Sequence, residues 1–352
     1  MNYWQVGSGQ EGRRTYSDEC LRFGMAFAGA RYWKNRMEKV RKDDLVVLRY
    51  GTRKIVAVGK VIEHNGAVKG LATEEEKRWL KDFDGWDLPA YCYVEWHESH
   101  RLENARKQLP QSGFSQLKDE EYCEQAQQVF NDNQSIYPSN RDGPRDTRRV
   151  EDHEARAFLK QHLGERSEEA FLEIRNIREL ARKYYGDDDG FRYWNEFKEH
   201  EIRTFLIVPL LLTLGWRREQ IKIEVNPKKL GARKGGSIDV ACFSNDYLPG
   251  EWAENGENCK LIIESKTFGS GLAPEAVEQA RDYADSLLDR RSKCDLIFVS
   301  SGYCYKAYAR NQEQGFASKP SAYLNLLKPS HRYPLDPLGV DGALRVLELL
   351  LP

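Results

Sequence analysis

Two short apolar segments in the last third of the chain each carry an acidic residue, and this pattern constrains the fold of that region most. Residues 237–243 include Asp239, and residues 261–267 include Glu264 and Lys266. Side chains two residues apart on a strand leave the same face, so Glu264 and Lys266 are expected to point the same way. The flanking sequence alternates strand-like runs with longer helical runs, which is typical of an α/β domain.

The two acids and the lysine suggest a metal site. Buried carboxylates are unfavourable unless a cation joins them, and Mg²⁺ is commonly bound by one or two carboxylates together with phosphate oxygens. We therefore predict Mg²⁺, with Mn²⁺ as a substitute, at Asp239 and Glu264. Lys266 would position or help to deprotonate a water and offset phosphate charge. The alternative is structural, with Asp239 capping a turn and Glu264 paired with Lys266.

The order Asp239…Glu264-Ser265-Lys266 resembles the active-site signature of PD-(D/E)xK nucleases. Residues 200–216, HEIRTFLIVPLLLTLGW, are similar to the first helix of the nuclease region in the motor subunit of type I restriction enzymes. The glutamate of that helix completes the family's metal site and matches Glu201, while Gln279 matches a glutamine that points toward the active site. The resemblance implies a mixed-sheet α/β nuclease core, with Asp239, Glu264 and Glu201 as metal ligands and with Lys266 and Gln279 as further catalytic residues.

The first 110 residues are β-rich, with strands predicted at 3–7, 45–50, 54–63 and 90–97 and a helix at 118–130. The pattern is similar to the PUA-like superfamily, which includes EVE and YTH domains. This resemblance implies a small open β-barrel that binds a modified base in an aromatic-lined pocket. The pocket candidates are Trp33, Tyr32, Trp4, Ser8, Trp86 and Asp87. The alternative for the strand aromatics is that they belong to the core.

Residues 7–12, GSGQEG, fit the GxGxxG pattern, but a dinucleotide-binding turn needs an apolar helix after the third glycine. Arg13 and Arg14 follow instead, and the next convincing strand begins only near Leu45. We therefore predict a loop that borders the base pocket, with these two arginines on the DNA backbone.

Composition limits the class of partner. The formal net charge of the 352-residue chain is −1, which excludes a globally basic DNA-binding protein but not a basic patch. One basic stretch precedes Asp239, and it adds Lys228, Lys229, Arg233 and Lys234 as predicted contacts to the DNA backbone. The 7 cysteines have no paired spacing. No apolar run reaches the roughly 18 residues that a membrane helix needs, and the first residues do not predict a signal peptide. We expect a cytoplasmic protein without a membrane segment or a zinc site.

These patterns predict a two-domain α+β or α/β protein. Residues 1–130 form the predicted base-recognition domain, residues 131–196 a linker and helical connector, and residues 197–352 the nuclease domain, in which a long insert at 244–258 forms an extended hairpin. The leading hypothesis is a Mg²⁺-dependent, modification-dependent restriction endonuclease that flips a modified base in double-stranded DNA and acts as a homodimer. One alternative is an effector nuclease that senses a nucleotide. Another is a non-catalytic nucleic-acid-binding protein.

Overall fold

The computed structural model describes residues 1–9, 16–71, 88–109, 113–133, 135–139, 141, 148–185, 198–230, 235–267, 274–288, 294–311, 315–317, 320–332 and 340–352. The described residues divide into two compact units, residues 1–145 and residues 146–332 with 340–352. Each unit contains one mixed β-sheet and several helices. The helices predicted as a connector, at 152–185, belong to the second unit. Within these ranges no helix combines the length and apolar character needed to cross a membrane.

The first unit is a seven-stranded sheet with helices beside it. Its elements are β1 (Tyr3–Gly7), α1 (Ser17–Phe23), β2 (Met25–Ala28), β3 (Leu45–Tyr50), β4 (Lys54–Val61), β5 (Lys69–Leu71), β6 (Ala90–Asn104), β7 (Phe114–Leu117) and α2 (Glu120–Asp132). The strand order is β2-β6-β4-β3-β1-β7, and β5 also pairs with β6. Strands β1 and β3 are parallel, while the other pairs are antiparallel.

Asp44 fixes the start of β3 through a buried carboxylate. It accepts hydrogen bonds from the backbone N–H of Asn2 (2.7 Å), the backbone N–H of Arg41 (3.0 Å) and the indole N–H of Trp4 (2.9 Å). These bonds join the two parallel strands at their N-terminal ends. The side chain is therefore a structural anchor, since each donor would otherwise lose its partner on folding.

The second unit contains the predicted catalytic strands. Its elements are α3 (Asp152–Leu163), α4 (Ser167–Tyr185), α5 (Glu199–Ile202), a π-helical turn (Arg203–Ile207), α6 (Val208–Thr213), β8 (Ile221–Val225), β9 (Ile238–Phe243), α7 (Trp252–Glu257), β10 (Cys259–Ser265), α8 (Pro274–Leu288), β11 (Leu296–Ser300), β12 (Cys304–Asn311), β13 (Gly315–Phe316), β14 (Ala322–Asn325) and α9 (Ala343–Leu349). The strand order is β13-β12-β11-β10-β9-β8, with β14 also paired to β12. Among the strand pairs described for this sheet, β10 and β11 are parallel and the other pairs are antiparallel.

Helix α8 covers one face of this sheet and packs mainly on β10 and β11. Its buried side chains recur at the spacing of one helical face, at Ala276, Ala280, Tyr283, Ala284 and Leu287. They share a core cluster with Ile262 of β10 and with Ile297 and Val299 of β11. The apolar strands are thus buried because a helix covers them, which is why they read as continuous hydrophobic runs.

Two segments differ from their predicted form. The helix that the resemblance implies within residues 200–216 contains the π-helical turn, and this turn ends just before Val208 and Pro209. Pro209 has no backbone N–H to donate to the carbonyl group of Phe205, which favours a local change of helical hydrogen bonding. The insert at residues 244–258 contains the short helix α7 instead of the predicted extended hairpin.

Removal of the Asp44 carboxylate tests its role as an anchor. Because three buried or half-buried donors lose a charged acceptor, Asp44→Ala is expected to lower the free energy of unfolding by about 3 kcal/mol. Asp43→Asn is the matched control, since Asp43 is exposed and pairs with Lys60 only at the surface, at 3.4 Å. That control should change stability by less than about 0.5 kcal/mol. Urea unfolding would measure both, and equal losses would contradict the assignment.

Candidate active site

Asp239 of β9 and Glu264 of β10 lie side by side on neighbouring antiparallel strands. The residues next to them, Val240 and Ile263, are paired across the two strands. Both acids are buried, with 8% of Asp239 and 1% of Glu264 exposed to solvent. The fold therefore brings together two carboxylates that are 25 residues apart in the sequence. It also excludes most water from them.

The two oxygens of Asp239 bind different partners. Oδ2 accepts one hydrogen bond from the backbone N–H of Ser265 and one from the Ser265 hydroxyl group, and both bonds are 2.8 Å long. Oδ1 accepts a hydrogen bond from Nη1 of Arg203 over 2.7 Å. The Ser265 bonds fix the orientation of the carboxylate, and the guanidinium compensates its charge.

Glu264 has one satisfied oxygen and one that is free. Oε1 accepts a hydrogen bond from Nζ of Lys266, whereas Oε2 is buried without any hydrogen-bond partner in the described part of the chain. Burial, followed by the charge of Asp239, raises the pKa of Glu264 to about 7, although Lys266 opposes this shift. A buried carboxylate oxygen without a hydrogen-bond partner is unfavourable, and a cation that binds this oxygen would compensate the cost of burial.

Lys266 remains a cation in this environment. Burial lowers the pKa of Lys266, but the carboxylates of Glu264, Glu199 and Asp239 outweigh burial, so the pKa is raised above its ordinary value. Its ammonium group also lies 3.5 Å from Oε1 of Gln279, a long contact. Lys266 is thus a hydrogen-bond donor at neutral pH.

Gln279, which the resemblance assigns to the site, approaches Lys266 from helix α8. Its amide nitrogen donates to the hydroxyl group of Tyr283 over 3.3 Å. Tyr283 in turn packs against Gly236 at the turn before β9. Gly236 has a φ of 132°, and a Cβ atom there would lie 2.6 Å from the Tyr283 hydroxyl. A glycine at this position therefore allows α8 to approach the start of the Asp239 strand.

Glu201, which the resemblance assigns to the metal site, makes its hydrogen bond within its own helix. Its carboxylate accepts a hydrogen bond from the backbone N–H of Lys198 over 2.9 Å and so caps its own helix. The acid of α5 whose charge acts on the site is Glu199, which contributes to the pKa shifts of both Glu264 and Lys266. Glu199 and Arg203 are four residues apart and share a helix face, whereas Glu201 lies about 200° around the helix from Glu199. The helical phase could have indicated this.

The sequence analysis also missed Arg203 and Glu224. Nη2 of Arg203 donates to Oε1 of Glu224, so the guanidinium connects Glu224 with Asp239. Glu224 belongs to β8 and has a left-handed backbone, with a φ of 52°. No local sequence pattern signals this contact, because it joins a helix to two strands.

The basic stretch before β9 is described only in part. Lys228 and Lys229 are exposed on a 3₁₀ turn, Pro227–Leu230. A Cβ atom at Gly235 would lie 3.5 Å from Cε of Lys228, so this side chain runs beside the turn that leads to Asp239. Arg233 and Lys234 lie outside the described residues.

In the first unit, two of the predicted base-pocket residues are internal. Trp4 is 2% exposed, stacks on Phe114 with ring centroids 5.5 Å apart, and donates to Asp44. Ser8 is fully buried, and its hydroxyl bonds to Ser17 and to the carbonyl group of Arg49. We therefore correct both assignments, since neither side chain has a surface open to a base.

Tyr32 and Trp33 remain as pocket candidates, because both are partly exposed. The Tyr32 hydroxyl accepts hydrogen bonds from the backbone N–H of Gly113 (3.3 Å) and from Arg31 (2.9 Å). The guanidinium groups of Arg31 and Arg36 lie 4.8 and 5.1 Å from the Tyr32 ring centroid. The remaining predicted contacts, Trp86, Asp87, Arg13 and Arg14, lie outside the described residues.

The donor set fits a hard divalent cation. The part of the chain that the structure describes holds no group of three or more His, Cys, Asp and Glu side chains close enough to bind a metal ion. Mg²⁺ does not need such a group, because it is typically bound by one or two carboxylates, several waters and substrate phosphate oxygens. The free Oε2 of Glu264 beside Asp239 is the observation that supports the fit.

A scan against protein-family models and a search of the curated proteins both found no match to this chain.

The raised pKa of Glu264 predicts how its replacement changes stability with pH. The neutral carboxyl group favours the folded state fully below pH 4.5, and this contribution is lost as the pH rises to about 7. The glutamine of the Glu264→Gln variant does not titrate. The free energy of unfolding of this variant, relative to that of the wild type, should therefore increase by about 3 kcal/mol from pH 4.5 to above pH 7. Urea unfolding in chelator at pH 4.5 and pH 8 would measure this difference. The exposed Glu219→Gln is the control, and a pH-independent difference for Glu264→Gln would contradict the prediction.

Proposed function

We propose that the second unit hydrolyses phosphodiester bonds in DNA with the help of Mg²⁺. The observation that carries this proposal is the arrangement of Asp239, Glu264 and Lys266. Two buried carboxylates lie on neighbouring strands, and a lysine that stays protonated lies next to them. One of the carboxylate oxygens has no hydrogen-bond partner among the residues that the structure describes. The order of these residues along the chain also resembles the PD-(D/E)xK signature.

The residues have separable roles in this proposal. Asp239 would hold the metal through Oδ1 and Glu264 through Oε2, because their other oxygens already accept hydrogen bonds from Ser265 and Lys266. When bound, Mg²⁺ neutralises phosphate charge and lowers the pKa of a water molecule. Lys266 donates to a phosphate or water oxygen. It does not accept a proton, because its pKa is raised. This refines the expectation that Lys266 helps to deprotonate the attacking water.

Glu199 and Gln279 are positioning residues for Lys266. The charge of Glu199 favours the protonated lysine, and the amide oxygen of Gln279 lies 3.5 Å from its ammonium group. Because Gln279 is also bonded to Tyr283, helix α8 restrains the amide group that contacts the lysine. An ammonium group restrained in this way loses little freedom when it binds an anion.

For the first unit we propose a role as a reader of modified bases. The support is the resemblance to PUA-like domains together with the partly exposed aromatic pair Tyr32 and Trp33, which is flanked by Arg31, Lys34 and Arg36. Aromatic faces stack on a flipped base, and the basic side chains hold phosphates. A single nuclease site cuts one strand, so a double-strand break requires two copies. We propose a homodimer with twofold symmetry.

Cleavage of plasmid DNA tests the nuclease assignment. With Mg²⁺ or Mn²⁺ the wild type is expected to cut substrate DNA, whereas Asp239→Asn and Lys266→Met should each lower the rate by a factor of about 100 or more. Lys260→Met is the matched control, because Lys260 is an exposed lysine on the same strand, β10, and should retain full activity. Undiminished cleavage by Asp239→Asn or Lys266→Met would overturn the assignment.

A panel of DNAs that differ only in base modification tests the reader assignment. Cleavage should depend on one modification, and replacement of Trp33 by Ala should reduce this preference, because a flipped base loses a stacking surface worth about 1–3 kcal/mol. Equal cleavage of modified and unmodified DNA would contradict a reader. Stimulation of cleavage on unmodified DNA by a small nucleotide would instead indicate a nucleotide-sensing nuclease.

A further inference from the structure

The Arg203 side chain is held between two carboxylates and is 7% exposed. One nitrogen of its guanidinium binds Oδ1 of Asp239, and the other binds Oε1 of Glu224. The first nitrogen also lies 3.3 Å from the hydroxyl oxygen of Ser265. The charge of the buried Asp239 is therefore already compensated by a cation of the protein itself.

Arg203 binds the oxygen of Asp239 that a metal ion needs. Oδ2 of Asp239 accepts two hydrogen bonds from Ser265, so Oδ1 is the oxygen left for a further ligand. A divalent ion at Oδ1 and a guanidinium within hydrogen-bond distance of the same oxygen repel each other strongly in a poorly solvated site. The metal ion and Arg203 therefore compete for Asp239.

Glu224 offers the guanidinium a second partner. The pairing of β8 with β9 joins the two neighbours of Glu224, Ile223 and Val225, to Val240 and Ile238, the two neighbours of Asp239. A left-handed backbone is unusual for a strand residue other than glycine, and Glu224 adopts one. Backbone strain of this kind is concentrated at functional sites. The Glu224 carboxylate is 60% exposed, so it can follow a small movement of Arg203 without leaving solvent. The π-helical turn begins at Arg203 itself, and such turns are frequent at functional sites.

We propose that Arg203 is a positioning residue that holds Asp239 in the metal-free protein and shifts onto Glu224 when a divalent cation binds Oδ1 of Asp239. The inference rests on the proposed function, because it requires a cation at Asp239 and Glu264. Asp239 is then paired with a positive charge both before and after metal binding. The metal ion must displace Arg203 from Asp239, and this displacement lowers the affinity of the site for the metal. Glu224 assists the displacement because it accepts the guanidinium.

Binding of Mn²⁺ without DNA tests the exchange, and it requires no catalytic activity. Free Mn²⁺ is measured by electron paramagnetic resonance during titration of the wild type, Arg203→Gln, Glu224→Gln and the double variant. Removal of the competing cation should tighten Mn²⁺ binding at least about fivefold, the lower end of typical coupling between two ligands. Glu224→Gln should weaken binding severalfold, because Arg203 loses its second partner. In the double variant the Glu224→Gln change should have no further effect.

Arg217→Gln is the charge-matched control, since Arg217 forms an exposed ion pair with Asp246 in the same unit. It should leave Mn²⁺ affinity unchanged. Glu224→Gln alters an exposed side chain, so it still tests the exchange if Arg203→Gln fails to fold. In that case, unchanged or tighter binding by Glu224→Gln overturns the proposal.

The outcomes separate this inference from the nuclease proposal. If Asp239→Asn weakens Mn²⁺ binding but Arg203→Gln weakens it or leaves it unchanged, Arg203 only orients Asp239. The exchange is then wrong, and the metal site stands. If Glu224→Gln weakens binding equally with and without Arg203, Glu224 is itself a ligand and the exchange is also wrong. If neither Asp239→Asn nor Glu264→Gln affects Mn²⁺ binding, the metal site and the exchange both fail.

Discussion

The carboxylates of Asp239 and Glu264 repel each other across two neighbouring strands, where little water can screen them. Their burial is tolerated only because each has a cation within hydrogen-bond distance, Arg203 at Asp239 and Lys266 at Glu264. The compensation is incomplete, since Oε2 of Glu264 has no partner among the described residues and its pKa is raised to about 7. Incomplete compensation of the negative charge favours binding of a further cation.

The remainder of the second unit holds these groups in register. Strands β9 and β10 place the two acids side by side, and the parallel strand β11 anchors the end of β10 through a hydrogen bond from the backbone N–H of Lys266 to Ser300. Helix α8 covers the sheet and brings Gln279 to the lysine, which requires the close approach of Tyr283 to Gly236. The segment that begins at Glu199 supplies Arg203. Five separate parts of the chain therefore determine the geometry of one site.

The sequence predicted the features that depend on local pattern. Apolar runs identified β9, β10 and β11, and the two-residue spacing placed Glu264 and Lys266 on one face. Features that depend on tertiary geometry were missed or misplaced. The family resemblance indicates Glu201, which caps its own helix, whereas the charge that acts on Lys266 from this helix is that of Glu199. The bridge from Arg203 to Glu224 depends on a left-handed residue in a strand and has no local signature. Trp4 was assigned to a pocket because residue type alone does not distinguish an aromatic core from an aromatic surface.

The most direct test of the proposed metal site is anomalous diffraction from crystals of the protein grown with Mn²⁺. We expect an anomalous peak in contact with Oδ1 of Asp239 and Oε2 of Glu264, with the guanidinium of Arg203 bound to Glu224 and no longer to Asp239. Electron density that shows Arg203 still on Asp239, with no anomalous peak beside Glu264 at saturating Mn²⁺, would contradict the account.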